Sequence, residues 1–304
     1  MRWRAWGWLV ALLACLAGPA AAQQTLYAAS FRTTAIGGST EGVAGSLYTV
    51  NLSNAMATFV APLRVNGTLP IAVTGLAIHP ETGVFYAITP PQSPNYPQHL
   101  VTLDPQSGRA TLVGEMRNAG SDIAFNRAGI LYAWLPATSQ PGIVNTANGA
   151  ITPIGPAHQA GLPSGLAIDP TGIAYITTGG AGGTLDRVDL ATGQVTKGPE
   201  MTGAPFPTGV NSMTFSPSGL LLAVNSNGGA PANTRLVTIN TATGAVTALG
   251  SLPDDTDALT FAPDLRREGL SKVNVQTLAL LVLGVIALVL GLIGWFVGRK
   301  PTHR

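Results

Sequence analysis

The chain has 304 residues, 46% of them hydrophobic and only 10% charged, with a net charge of +2. So slight a charge, with no basic stripe and no interleaving of aromatic and basic residues, argues against a nucleic-acid partner. One cysteine, Cys15, leaves no intramolecular disulfide to form, so the fold has to be held by its core.

Residues 1–22 read as an export signal. Arg2 and Arg4 open it, Trp6 to Leu16 is apolar, and Ala20-Ala21-Ala22 is a small-residue cleavage site before Gln23. Leu12-Leu13-Ala14-Cys15 is a poor lipoprotein box because of Leu13, and lipidation is the lesser alternative. Once the signal is cleaved, the exported chain has no thiol.

Residues 23–263 repeat. A small polar residue, an apolar residue, Ala or Thr, and Ile or Phe recur five times. The copies are Thr74-Gly75-Leu76-Ala77-Ile78, Ser121-Asp122-Ile123-Ala124-Phe125, Ser164-Gly165-Leu166-Ala167-Ile168, Asn211-Ser212-Met213-Thr214-Phe215 and Asp257-Ala258-Leu259-Thr260-Phe261. Their apolar anchors are 47, 43, 47 and 46 residues apart. A tight turn follows each of the first four copies, as at Pro80-Glu81-Thr82-Gly83 and Pro170-Thr171-Gly172, then a second strand, a variable loop and a hairpin. Four strands in about 45 residues make one propeller blade.

The fifth copy stops at Pro263, and its missing strands stand at the other end of the chain. Leu26-Tyr27-Ala28 matches the second strand, with Tyr27 in register with Tyr86, Tyr132 and Tyr175, and Leu47 to Val60 supplies the remaining hairpin. The expected fold is therefore all-β: a five-bladed β-propeller whose last blade is shared by N- and C-terminal strands. Such closure leaves no long unpaired edge. The tyrosines, at one strand position in each blade, read as packing between blades.

Turns such as Ile168-Asp169-Pro170-Thr171-Gly172 and Leu103-Asp104-Pro105-Gln106-Ser107-Gly108 resemble those of the NHL, YVTN and SMP-30-like group of propellers. The resemblance covers residues 24–263 and speaks to fold. The group includes enzymes, receptors and inert scaffolds, so it implies no single activity.

Residues 264–274 form a linker, 275–298 a membrane helix and 299–304 a short basic cytoplasmic tail. Leu278 to Val297 is 20 residues without a charged side chain, enough to cross a bilayer. With a cleaved signal, the propeller lies on the exported side, periplasmic or extracellular, and the C-terminus inside. A helix, basic cluster and preceding sorting motif would mark a surface protein whose tail is removed, but no such motif precedes Leu278. Gly284, Ala287, Gly291, Gly294 and Gly298 share one helical face, a pattern that lets two membrane helices pair and would give a homodimer.

The end of the fifth inner strand leads to the linker, which puts the tight-turn face of the disk toward the membrane. The long loops, Ser30–Ser46, Thr89–Gln98, Leu135–Pro141, Thr178–Gly183 and Asn225–Thr234, lie on the opposite face. Loops on a rigid scaffold are the usual carriers of binding, and the expected partner is an envelope protein or polysaccharide. The leading function is thus a membrane-anchored, non-catalytic binding or scaffolding module without a cofactor.

The alternative lies at the channel mouth. Thr74, Ser121, Ser164, Asn211 and Asp257 open the inner strands, with Asp122 and Ser212 beside them and Asp254 and Asp255 just upstream. Hard oxygen ligands converging on one axis could hold Ca²⁺. Some lactone-hydrolysing members of the resembled group hold a metal at the channel mouth, which implies Asp122, Asn211 and Asp257 as candidate ligands of a metal-dependent hydrolase. Against it, those sites bring further carboxylates and amides, whereas most positions here are Ser, Thr or Gly. Their simpler role is to cap strand ends. Histidines 79, 99, 158 and 303 show no ligand spacing, and no Gly-x-Ser-x-Gly, Walker or His-Glu-x-x-His motif occurs.

Overall fold

The computed structural model describes residues 25–31, 45–159, 161, 165–177, 183–203, 209–225 and 234–262. The expected signal, linker, membrane helix and tail lie outside these residues, as do Ser164 and most of the loops at 30–46, 178–183 and 225–234. The chain divides into two units, Met1–Pro263 and Asp264–Arg304, and everything described below belongs to the first. No helix among the described residues is long and apolar enough to cross a membrane.

Every regular element among the described residues is a strand. β1 (Leu26–Ser30), β2 (Ser46–Val50) and β3 (Ala57–Pro62) come first, then a short hairpin of β4 (Arg64–Val65) and β5 (Leu69–Pro70). Blade 1 is β6 (Gly75–Ile78), β7 (Phe85–Ile88), β8 (His99–Leu103) and β9 (Arg109–Glu115). Blade 2 is β10 (Ile123–Phe125), β11 (Leu131–Leu135), β12 (Gln140–Val144) and β13 (Ile151–Pro153). Blade 3 is β14 (Leu166–Ile168), β15 (Ala174–Thr177), β16 (Leu185–Val188) and β17 (Val195–Thr196). Blade 4 is β18 (Val210–Phe215), β19 (Leu221–Asn225), β20 (Arg235–Ile239) and β21 (Val246–Ser251). The last strand, β22 (Thr256–Phe261), completes blade 5 in the order β22-β1-β2-β3.

Blade 5 is the split unit expected from the repeat. β22 runs antiparallel to β1 with Leu26 opposite Phe261 and Ala28 opposite Leu259, the register that joins Phe85 to Ile78 in blade 1. The inner strands touch in the closed order β6, β10, β14, β18, β22 and back to β6. The ring is therefore closed by strand pairing between the two ends of the domain.

Turn chemistry repeats along with the strands. In the outer hairpins Asn51, Asp104, Asn145, Asp189 and Asn240 each accept the N–H two residues on, at 2.8–2.9 Å. Short side-chain acceptors of this kind stabilise such turns. The turn N–H groups hold the exposed Asp104 and Asp189 carboxyls below their usual range. The left-handed position that follows is Gly108, Gly149, Gly193 and Gly244 in four blades, but Ala55, with φ 55°, in the fifth.

The core is divided among the five blade interfaces. Ala29, Leu47 and Ala258 of blade 5 pack on Leu76, Phe85 and Val101 of blade 1. Ile88 and Leu100 meet Ile123 and Leu131 between blades 1 and 2, and Tyr132 and Trp134 meet Leu166 and Ile176 between blades 2 and 3. Tyr175 and Leu185 meet Met213 and Leu221, and Leu222 and Leu236 meet Leu26 and Leu259. The repeated tyrosines sit in these seams: Tyr27 is edge-on to Phe85, Tyr86 edge-on to Phe125, and Tyr175 tilted against Phe215. A flat blade thus buries both faces only by having neighbours.

One element departs from the repeat. β4 runs parallel beside β9, with Arg64 opposite Arg109 and Val65 opposite Ala110, so blade 1 becomes a six-stranded sheet. The hairpin covers an outer edge that would otherwise be open. Leu63, Val65, Ile71 and Val73 anchor it by burial in the seam between blades 5 and 1.

Candidate functional site

The residues that open the inner strands meet at one end of the central channel. Thr74 precedes β6, and its hydroxyl donates to Asp257 Oδ2 at 2.8 Å, with the Ser121 carbonyl oxygen 3.2 Å away. The Asn211 side chain also hydrogen-bonds the Asp257 carboxylate. Blades 1, 4 and 5 are thereby joined through one carboxyl group. Burial, and secondarily the nearby Asp255 charge, raise the Asp257 pKa to about 6 against the pull of Thr74 and Asn211.

The next position inward is Gly75, Asp122, Gly165, Ser212 and Ala258, and each side chain there meets a neighbouring blade or leaves room for it. Asp122 is fully buried. Its Oδ1 accepts the Ile123 N–H at 2.9 Å, and its Oδ2 accepts the N–H groups of Leu166 (2.9 Å) and Met213 (3.0 Å). The Ser212 hydroxyl also bonds to it. Ser212 Oγ in turn accepts the Leu259 N–H at 3.0 Å. These are backbone N–H groups of β10, β14, β18 and β22, inner strands whose axial edge has no strand partner. Burial pushes the Asp122 carboxyl well above the usual range, while the three N–H bonds and Ser212 act in the opposite direction.

The glycines follow from the same geometry. A Cβ on Gly75 would lie 3.1 Å from both Asp122 Cα and Ile123 N. On Gly165 it would lie 2.9 Å from Ser212 C and 3.0 Å from Met213 N. At that distance a methyl group would press on the backbone of the next blade.

Past this plug lies a cavity of about 140 Å³, lined by all five inner strands and rimmed by Ile78, Phe125, Ile168, Phe215 and Phe261 toward the tight-turn end. A space of this size fits a few waters.

Of the three sequence-derived metal candidates, Asn211 and Asp257 come together. The Asp122 carboxylate is occupied by backbone N–H groups of Ile123, Leu166 and Met213 and by Ser212. Among the described residues no three His, Cys, Asp or Glu side chains gather at metal-binding spacing. The His79 ring instead accepts the N–H groups of Glu81 and Thr82 (3.2 and 3.3 Å) in its turn, and His99 Nδ1 lies 2.7 Å from the Pro97 carbonyl oxygen.

Two long loops on the mouth side are described, and both are braced, mostly against neighbouring segments. In Thr89–Gln98 the Thr89 hydroxyl accepts the His99 N–H at 2.8 Å, Ser93 Oγ accepts the Ala72 N–H at 3.1 Å, and the Asn95 amide donates to the Pro70 carbonyl at 2.9 Å. In Leu135–Pro141 the Ser139 hydroxyl donates to the Gln159 carbonyl at 2.8 Å, and the Gln140 amide donates to the Gly155 carbonyl at 3.1 Å. Tyr96, Gln98 and Ser139 hold left-handed φ values of 49°, 54° and 43°. The rings of Tyr96 and His99 meet edge-on at 5.6 Å. The sequence marked these segments as variable but carried no sign of this bracing.

No protein-family model matches the chain, and no curated protein matches it. Among solved structures it is similar to a protein of unknown function from Bacteroides thetaiotaomicron VPI-5482, with 14% identity and a TM-score of 0.43 over 59% of this chain and 50% of that one. This chain thus spans half the length of that protein. A protein of unknown function from Bacteroides caccae gives 13% identity and a TM-score of 0.49, covering 79% of this chain and 98% of that one. A nidogen/laminin complex gives 12% and 0.48, again over 79% and 98%. Likeness at such identities concerns fold alone. The chain's own strand order and ring closure make it a five-bladed β-propeller.

Proposed function

We propose that this propeller is a membrane-anchored, exported binding or scaffolding module that acts without catalysis and engages an envelope protein or polysaccharide through its long-loop face. The observation that carries the reading is the bracing of the loops at 89–98 and 135–141. Non-glycine residues held at left-handed φ cost about 1–3 kcal/mol each and persist where the surroundings over-determine them, most often at functional surfaces. Tyr96, Gln98 and Ser139 are such residues. The polar groups of the channel mouth support the reading from the other side, because their bonds run between blades: Thr74 and Asn211 to Asp257, Asp122 to β14 and β18.

The test is site-specific photo-crosslinking in cells. Reactive side chains at Gln92 and Ala137 on the loops are compared with Thr171 and Ser218 in the tight turns. Discrete adducts from the loop positions alone support the reading. Adducts from the tight turns only, or Ca²⁺-dependent lactone hydrolysis lost in Asp257→Asn, would replace it with another.

A further inference from the structure

Four inner strands end in tight turns on the face opposite the mouth, and each turn is followed by an aliphatic side chain that is not covered. Val84, Ile130 and Ile173 are each 39% exposed, and Leu220 is 45% exposed. They occupy one repeat position, the residue after the turn glycine, in blades 1 to 4. A lone exposed aliphatic needs no explanation, but the same one in four blades makes a ring.

The turn tips beside them carry Pro80, Thr82, Ala128, Pro170, Thr171, Pro217 and Ser218 with Glu81 and Arg127, while Asp169 caps its turn and the exposed Asp104 and Asp189 cap the outer hairpins at the same end. Toward the axis the same face has the apolar rim of the cavity, including Phe125, Phe215 and Phe261.

Blade 5 has no such turn. There β22 ends and β1 begins, with the Ala262 N–H donating to the Thr25 carbonyl at 3.0 Å. Both ends of the propeller therefore leave from this face at one point. In the sequence, the apolar stretch that starts at Leu278 begins 16 residues after Ala262. A connection of that length reaches at most about 55 Å when fully extended. A face ringed with aliphatics around the exit of a short tether suits the interfacial zone of a bilayer.

We propose that the tight-turn face rests on the phospholipid surface, with Val84, Ile130, Ile173 and Leu220 as its lipid contacts. This rests on the membrane-anchoring reading above and adds to it a defined contact surface.

The full chain, with Cys15→Ser to remove its one thiol, is labelled with a fluorophore at Ile173→Cys or Leu220→Cys, and on the other face at Gln92→Cys or Ala137→Cys. Each protein is reconstituted in phosphatidylcholine–phosphatidylglycerol vesicles, with and without a lipid carrying a shallow spin-label quencher. Flotation is measured alongside. The expected result is co-flotation of all four, with quenching at 173 and 220 greater than at 92 and 137 by about two-fold or more. Co-flotation with equal quenching on both faces, or with stronger quenching on the loop face, overturns the contact surface and leaves the anchor standing. Failure to float overturns both.

Discussion

The Thr74 hydroxyl lies 2.8 Å from Asp257 Oδ2, a bond between residues 183 apart in the chain that ties the first inner strand to the last. Strand pairing between β22 and β1 closes the ring at its wall, and this contact closes it again at the channel mouth. The carboxyl group at its centre titrates in an accessible range, which gives a first prediction.

The Asp257 pKa is raised to about 6 from an ordinary 3.8, chiefly by burial. A folded-state pKa above the unfolded one means that folding favours the protonated form. The resulting stability is fully present below about pH 3.8 and is lost as pH rises through about 6. Asp122, also raised by burial, acts with the same sign. Thermal melts of the wild type between pH 4 and 7 should therefore show Asp257→Asn with the shallower fall in Tm toward neutral pH. Parallel curves for the two proteins would show that Asp257 does not titrate in this range.

Asp122 should be the costliest polar side chain of the channel to remove. Asp122→Ala leaves the N–H groups of Ile123, Leu166 and Met213 without their acceptor, and each orphaned buried donor costs about 1–3 kcal/mol. Urea unfolding should show a loss of about 3 kcal/mol or more, exceeding that of Thr74→Ala, which gives up hydroxyl bonds at the part-buried mouth. A loss of under about 1 kcal/mol would mean that water replaces the carboxylate without penalty.

Gly165→Ala should destabilise although the glycine lies at the start of a strand pair with no left-handed φ. Its new methyl would meet the Ser212 and Met213 backbone at 2.9 and 3.0 Å, and overpacking of this kind costs about 1–3 kcal/mol. Unchanged stability would mean that blades 3 and 4 can part at the axis.

Ala55 and Gly250 form a compensating pair. Ala55 holds the left-handed position that is glycine in the other four blades, and a Cβ on Gly250 would come within 2.7 Å of the Ala55 Cβ. Gly250→Ala should be destabilising in the wild type and less so in an Ala55→Gly background. A double-mutant cycle should give a coupling of about 0.5–3 kcal/mol, the range found for residues in contact. Additive effects would show that the two blades do not press on each other there.

Calcium should leave the Tm unchanged, since a ligand that binds the native state raises it in proportion to its occupancy. A Ca²⁺-dependent rise that disappears in Asp257→Ala would instead make Asn211 and Asp257 metal ligands and restore the hydrolase reading.

The blades were legible in the residues because a blade is a local unit. Alternating strands, acceptor-opened turns and turn glycines lie within about 45 residues of one another, and the half-copy at each end of the domain foretold the shared fifth blade. The channel was not legible in the same way. In the sequence Asp122 read as a candidate metal ligand or a strand cap, and only the closed ring brings β14 and β18 within reach of its carboxylate. Gly75 and Gly165 looked like ordinary small residues until the next blade's backbone was seen to fill the place of a side chain. The β4–β5 hairpin has no counterpart in other blades and is too short for a periodic signal, so its parallel pairing with β9 depended on where blades 5 and 1 meet. Local chemistry set the strands, the turns and the number of blades, because those bonds form between near neighbours. The roles of Asp122, Thr74 and Asp257 were decided by ring closure, which alone brings together groups 44 to 183 residues apart.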